Sequence, residues 1–285
     1  MAALGSAYLR YEIRDGAGWL TIDRSATKNA MSLEMYRGVR RAVEEADADP
    51  DVSVVVITGV DELFCVGGGM TAEVLFEDES AWPGMGYIPA ADGSVRDVDP
   101  SEVPVDIERD VLPFDVIPRA GTTVISAVNG LCIGGGLIIA MASDITLASP
   151  RARFRVPEVR RGVPDPWMAA MLPAYVGLER AKYLMLTAEV FDADRAYEWG
   201  LVSEVVPAGE LVDRTEHIVD LVLRGAPITR SVYKAQANRY LIGTDLAAVS
   251  AAASEEEKLE GFRSFAERRP PAWIPAGRAT GLGRQ

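Results

Sequence analysis

Two glycine-rich turns are the parts of this 285-residue sequence best suited to chemistry with the backbone. One is Phe64-Cys65-Val66-Gly67-Gly68-Gly69-Met70; the other is Asn129-Gly130-Leu131-Cys132-Ile133-Gly134-Gly135-Gly136. Glycine admits positive φ and lets a backbone approach a ligand closely. Where such a turn opens a helix, the first N–H groups lack an intrahelical acceptor and can hold a phosphate or an oxyanion. Neither turn has the G-x-G-x-x-G spacing with an acidic partner, and no Walker A sequence occurs. The single histidine, His217, excludes metal sites built on several histidines, and no G-x-S-x-G elbow accompanies it. It lies in a helical pattern with Leu211, Ile218, Leu221 and Val222 as the apolar side, and reads as structural or solvated. Cys65 and Cys132 are too few for a disulfide framework or a zinc site. They are expected to be reduced thiols.

The elements that must position these turns are legible in part. Residues 8–14 alternate, turn at Asp15-Gly16 and continue through Trp19–Ile22, as a β-hairpin does. Ser32 suits a helix N-cap, with Glu34 in the first turn and Met35, Val39, Ala42, Val43 and Ala46 at helical spacing to about Asp49-Pro50. Val52 to Thr58 and Thr123 to Val128 read as buried strands. A glycine turn over 130–136, a helix over 137–142 and strands at 144–148 and 153–156 follow. From Pro166 the pattern is helical, with segments at 178–187, 192–200, 207–223, 227–241 and 244–266 and a short strand at 203–206. Residues 73–119 are rich in proline and acidic residues. They read as a surface loop or as a lid over a pocket, with Trp82, Met85 and Tyr87 lining an acyl pocket or fastening the loop.

The net charge of −13 argues against nucleic acid or an anionic membrane as a partner, since both demand a basic face. No apolar stretch is long enough to span a membrane, and the first residues lack the pattern of a signal peptide. The expected location is the cytoplasm.

Taken in order, several segments resemble the crotonase (enoyl-CoA hydratase/isomerase) family: DRSATKNAMS from Asp23, FCVGGGM, AVNGLCIGGG with MASDITLAS, ARFRVPEVRRGVP, the stretch from Gly177 to Pro207, and EEEKLEGFRSFAERRPP. The resemblance implies an α/β spiral of ββα repeats over residues 1–208, with the insertion at about 73–119. A C-terminal helical trimerisation region, 209–285, would build homotrimers or homohexamers. It implies an acyl-CoA substrate, with coenzyme A entering as part of that substrate and no separate cofactor or metal. The N–H groups of Gly68 and Gly135 would hold the thioester oxygen, and Glu158, after Pro157, would be the acid/base. Ala26, Thr27, Lys28 and Ala30 would lie along the CoA. Lys28 or Arg24 would meet its phosphates or stay solvated, and Arg268 and Arg269 would approach the CoA of a neighbouring subunit. Val66, Gly67, Gly69, Met70, Leu131, Gly134 and Ile138 complete the implied acyl-CoA site.

The sequence departs from the family at two places. Hydratases of the family carry a first glutamate where this chain has Ile138, which leaves the single-glutamate arrangement of the family's Δ3-Δ2-enoyl-CoA isomerases and favours isomerisation over hydration. Val163-Pro164-Asp165-Pro166-Trp167 replaces a Pro-Gly turn. There Asp165 reads as a second acid/base or as a helix N-cap with Pro166 at N1. Two further readings stay open: a CoA-ester or β-diketone hydrolase or C–C lyase using Asp165, and a non-catalytic acyl-CoA-binding homologue.

Overall fold

The computed structural model describes residues 4–69, 87–89, 95–97, 112–207, 209–239 and 255–273. In chain order the strands are Leu9–Arg14 (β1), Ala17–Ile22 (β2), Val54–Gly59 (β3), Leu63–Cys65 (β4), Tyr87–Pro89 (β5), Val95–Asp97 (β6), Thr123–Val128 (β7), Leu131–Ile133 (β8), Ile145–Ala148 (β9), Arg153–Arg155 (β10), Phe191–Asp192 (β11) and Glu204–Val205 (β12). The helices are Leu33–Ala48 (α1), Val116–Arg119 (α2), Gly135–Ala142 (α3), Pro166–Val176 (α4), Leu178–Thr187 (α5), Ala193–Glu198 (α6), Leu211–Leu223 (α7), Pro227–Asn238 (α8) and Glu255–Ala266 (α9). Single 3-10 turns cover Ser25–Thr27 and Glu158–Arg160.

The larger sheet runs β1-β2-β3-β7-β9-β12, antiparallel only between β1 and β2. Val54 to Ile57 are buried on both faces, which is why β3 reads as a continuous apolar run without alternation. A smaller sheet runs β11-β10-β8-β4, with β4, β8 and β10 parallel. Three inner strands of the large sheet are each followed by one of the small sheet: β3 by β4, β7 by β8, β9 by β10. Helices α3 and α4 follow the second and third of these pairs. The chain thus advances as a spiral, one strand in each sheet per turn.

This winding decides where the glycine turns lie. Cys65 at the end of β4 sits opposite Cys132, and Ile133 at the end of β8 sits opposite Arg155 at the end of β10. Parallel strands end at the same edge of their sheet. The segments that follow them, 66–69, 134–136 and 157–158, therefore emerge side by side.

Local chemistry agrees with the element boundaries. Ser32 caps α1 by accepting the Met35 N–H at 3.1 Å, and Met35, Tyr36, Val39, Ala42, Val43 and Ala46 face inward from that helix. Several expectations shift. The strand expected at 52–58 is Val54–Gly59, and the turn expected at 130–136 contains β8. Of the second sheet only β10, expected at 153–156, was legible; its other strands run to three residues at most, too short to show a period of two. Helix α7 starts at Leu211, and it buries Leu211, Thr215 and Val219 while Leu221 is 46% exposed; its apolar side is narrower than expected. His217 is exposed on α7, in keeping with a solvated role. Within 244–266, helix is described over Glu255–Ala266. Most of the 73–119 insertion, including Trp82, Met85 and the Tyr87 side chain, and the boundary near 208 fall outside the described residues. The insertion returns to the core at Leu112, Phe114 and Ile117, all buried. Among the described residues, no helix is long and apolar enough to cross a membrane.

Candidate active site

The first glycine turn is tied to the segment after β2. Met31 N–H donates to the Gly67 carbonyl at 2.8 Å, and Gly69 N–H donates to the Met31 carbonyl at 2.9 Å. This parallel bridge engages the residues on either side of Gly68 and directs the Gly68 N–H away from Met31. Residues 24–29 are held by Asn29. Its Oδ1 accepts the Arg24 N–H at 2.7 Å, and its Nδ2 donates to the carbonyls of Ile22, Leu63 and Phe64 at 3.1, 2.9 and 3.1 Å. One buried amide thereby fixes this loop against both sheets. Ala26 and Lys28 are exposed on it, Thr27 is half-buried and Ala30 is buried. Arg24 departs from the solvated reading made of it: it is 6% exposed, with its guanidinium 4.5 Å above the Tyr8 ring.

The second turn opens α3. Gly134 takes φ 53° and ψ −123°, a region that side chains other than hydrogen disfavour. Gly135 approaches the first turn so closely that a Cβ on Gly67 would stand 2.9 Å from the Gly135 nitrogen. Within each triplet the middle glycine alone is partly exposed: Gly68 and Gly135 are half-buried, whereas Gly67, Gly69, Gly134 and Gly136 are buried. Neither the Gly68 nor the Gly135 N–H donates to the backbone of another described residue.

Glu158 reaches this place from the 3-10 turn after β10. A Cβ on Gly134 would meet its Oε1 at 2.9 Å and the Cγ of Pro157 at 3.7 Å. Its Oε2 is buried without a hydrogen-bond partner among the described residues. Burial first, and then the charge of Asp165, push its carboxyl up from 4.5 to about 8, against the smaller opposing pull of its own backbone, Arg155 and Arg161. A carboxyl in this environment can hold or release a proton near neutral pH.

Asp165 serves as the N-cap of α4, its Oδ1 accepting the Met168 N–H at 2.7 Å, with Pro166 at the first helical position. It also lies close enough to raise the proton affinity of Glu158. Ile138 is 1% exposed in the first turn of α3, an apolar side chain with no proton to give. Leu131 opens β8, at the opposite end of that strand from Gly134, and Val66 is half-buried directly after β4. Met70 lies outside the described residues. Arg269 is engaged by Glu260, 2.6 Å away, and by Glu267. Cys65 and Cys132 are buried free thiols, and burial pushes Cys65 up to about 12.

Sequence reasoning missed an aromatic wall. Tyr36 on α1 meets Phe114 edge-on at 5.7 Å, and Phe114 meets Trp167 edge-on at 5.3 Å. The Trp167 Nε1–H donates to Asp115 Oδ1 at 3.3 Å. Tyr36 was hidden because its spacing marks only an inward-facing helix position. Its hydroxyl, on an otherwise aliphatic helix face, was the one signal available.

Comparison with known proteins agrees with this architecture. The family described as enoyl-CoA hydratase/isomerase matches residues 12–81 and 114–275. A mevalonyl-coenzyme A hydratase from Aspergillus fumigatus is 29% identical over 278 residues, covering 90% of this chain and 91% of that one. A short-chain-enoyl-CoA hydratase from Clostridium acetobutylicum is 30% identical over 258 residues, covering 88% and 91%. Among solved structures, a carnitinyl-CoA hydratase from Mycobacterium avium superposes with a TM-score of 0.74 at 27% identity, over 94% of this chain and 98% of that chain. The spiral, the paired glycine turns and the glutamate beside them thus belong to a chain that is a member of the enoyl-CoA hydratase/isomerase, or crotonase, family.

Proposed function

We propose that the protein binds an enoyl-CoA thioester and moves its double bond through an enolate, with Glu158 as the acid/base. The observation that carries this reading is the Glu158 carboxyl, whose Oε2 is buried without a hydrogen-bond partner among the described residues and whose Oε1 packs against Gly134. In the proposed reaction the thioester oxygen lies between the N–H groups of Gly68 and Gly135. Glu158 takes a proton from C2 of a β,γ-enoyl thioester, negative charge develops on the oxygen, and Glu158 returns the proton at C4. Preorganised backbone donors in a dry site stabilise such charge, and removal of one such donor typically costs about 3–4 kcal/mol in the barrier. The CoA would run along Ala26, Thr27, Lys28 and Ala30, which the Met31–Gly67 contact brings beside the first glycine turn. Val66, Gly67, Gly69, Met70, Leu131, Gly134, Ile138 and Pro157 belong to the same proposed site.

Ile138 supports isomerisation over hydration, because its side chain can neither hold nor deprotonate water. A second reading, hydration, is favoured by Asp165, which gives Glu158 a carboxylate neighbour despite the isoleucine. Incubation with a 3-enoyl-CoA and, separately, with a 2-enoyl-CoA separates the two by product mass. The expected outcome is conversion of the 3-enoyl compound at unchanged mass, lost in Glu158→Gln. Water addition to the 2-enoyl compound would replace isomerisation by hydration. Binding without turnover of either would overturn both.

A further inference from the structure

We propose that the Tyr36 hydroxyl is a third hydrogen-bond donor to the thioester oxygen, beside the N–H groups of Gly68 and Gly135; this rests on the oxyanion reading above. Tyr36 is 2% exposed on α1, and its Oη stands against both glycine turns. A Cβ built on Gly135 would meet that oxygen at 2.1 Å, and one built on Gly68 would lie 3.9 Å from it. One side-chain atom thus faces the two glycines that alone are partly exposed in their triplets. The consecutive glycines of the second turn are bracketed by two functional side chains, Glu158 Oε1 against Gly134 and Tyr36 Oη against Gly135. Gly135 therefore does more than permit a turn, because any larger residue would drive the phenol out of this position.

The physical chemistry suits a donor. Phe114 meets the Tyr36 ring edge-on and fixes its plane. Burial above all holds the phenol well above its ordinary range, so it keeps its proton. A neutral O–H aimed at an oxygen that gains charge in the transition state lowers the barrier with no proton lost. A phenylalanine would fill the same core volume without the cost of burying a hydroxyl.

The test is Tyr36→Phe in the full-length protein, read with an aryl-conjugated enoyl-CoA whose absorption moves to longer wavelength as its carbonyl is polarised. The expected result is a red shift on binding to the parent, a smaller shift in the variant at similar affinity, and a kcat about 10²-fold lower with KM little changed. An unchanged shift and a kcat within about threefold of the parent would overturn the proposal. So would weaker binding with the shift per bound ligand intact, which is the mark of a packing role. Absence of any shift on binding to the parent would defeat the oxyanion reading itself. Should Tyr36→Phe fail to fold, 3,5-difluorotyrosine at position 36 keeps the ring and strengthens the donor. A larger red shift is then expected, and an unchanged one would overturn the proposal.

Discussion

A glutamate whose carboxyl is pushed up to about 8, chiefly by burial, makes distinct demands on activity and on stability. As the base that takes a C2 proton, Glu158 must be ionised in the free enzyme. The rate kcat/KM is therefore expected to rise with pH and level off above about 8. Asp165 raises that value, so Asp165→Asn, which preserves the cap on Met168, should shift the midpoint to lower pH; Asp165→Ala should also lose about 1 kcal/mol of stability with the cap. A pH–rate profile unchanged by Asp165→Asn would remove Asp165 from the electrostatics of the site. Stability carries the opposite sign. The folded carboxyl holds its proton up to about 8, whereas the unfolded one loses it near 4.5, so stability falls as pH rises between these values. Glu158→Gln abolishes that dependence. Its Tm, relative to the parent, is expected to be higher at pH 9 than at pH 4, and thermal melts at the two values check it. The candidate site residues legible from the sequence were those in motifs: the glycine turns, the segment from Ala26 to Ala30, the Pro157-Glu158 context and the turn at Asp165. The roles of Tyr36, Phe114 and Asn29 were not legible, because they arise from contacts between distant parts of the chain.

At the scale of elements, the site depends on how three parallel strands end together. Gly134 joins β8 to α3 at positive φ, with Glu158 behind it. Gly134→Ala adds backbone strain of about 1–3 kcal/mol and presses a methyl group on the carboxyl, so both Tm and kcat should fall. Retention of full activity would show that the Glu158 position is not set by this turn. Helix α8 is anchored by a buried ion pair: Lys234 Nζ lies 2.9 Å from Asp144 Oδ2 and donates to the Thr122 carbonyl at 2.7 Å. Lys234→Met leaves Asp144 without its countercharge and should destabilise by about 3–5 kcal/mol, with partial recovery on adding Asp144→Asn, as read in chemical denaturation. Long helices were legible from periodicity, since α1 and α5 span enough residues to display it, and the buried strands β3 and β7 from their continuous apolar runs. Most of the small sheet was not, because β4 and β8 are specified by their neighbours in space.

At the scale of the whole molecule, the helical end of the chain presents apolar side chains to solvent, with Ile228 80% exposed and Tyr233 72% exposed on α8. Large exposed apolar side chains of this kind are common on association surfaces, which supports the proposed trimer or hexamer. Light scattering should give a multiple of three chains, and Tyr233→Glu should lower the mass. A monomer at micromolar concentration would contradict it.

The most direct test of the proposed chemistry is exchange at the carbon next to the thioester. The protein is incubated with a 3-enoyl-CoA in deuterated water, and deuterium at C2 and C4 is followed by mass spectrometry and NMR. Deuterium appearing at these carbons with the parent, and lost in Glu158→Gln at unchanged CoA-ester binding, is the expected result. Equal exchange in Glu158→Gln, or no exchange with the parent despite bound ester, would contradict an enolate formed by Glu158.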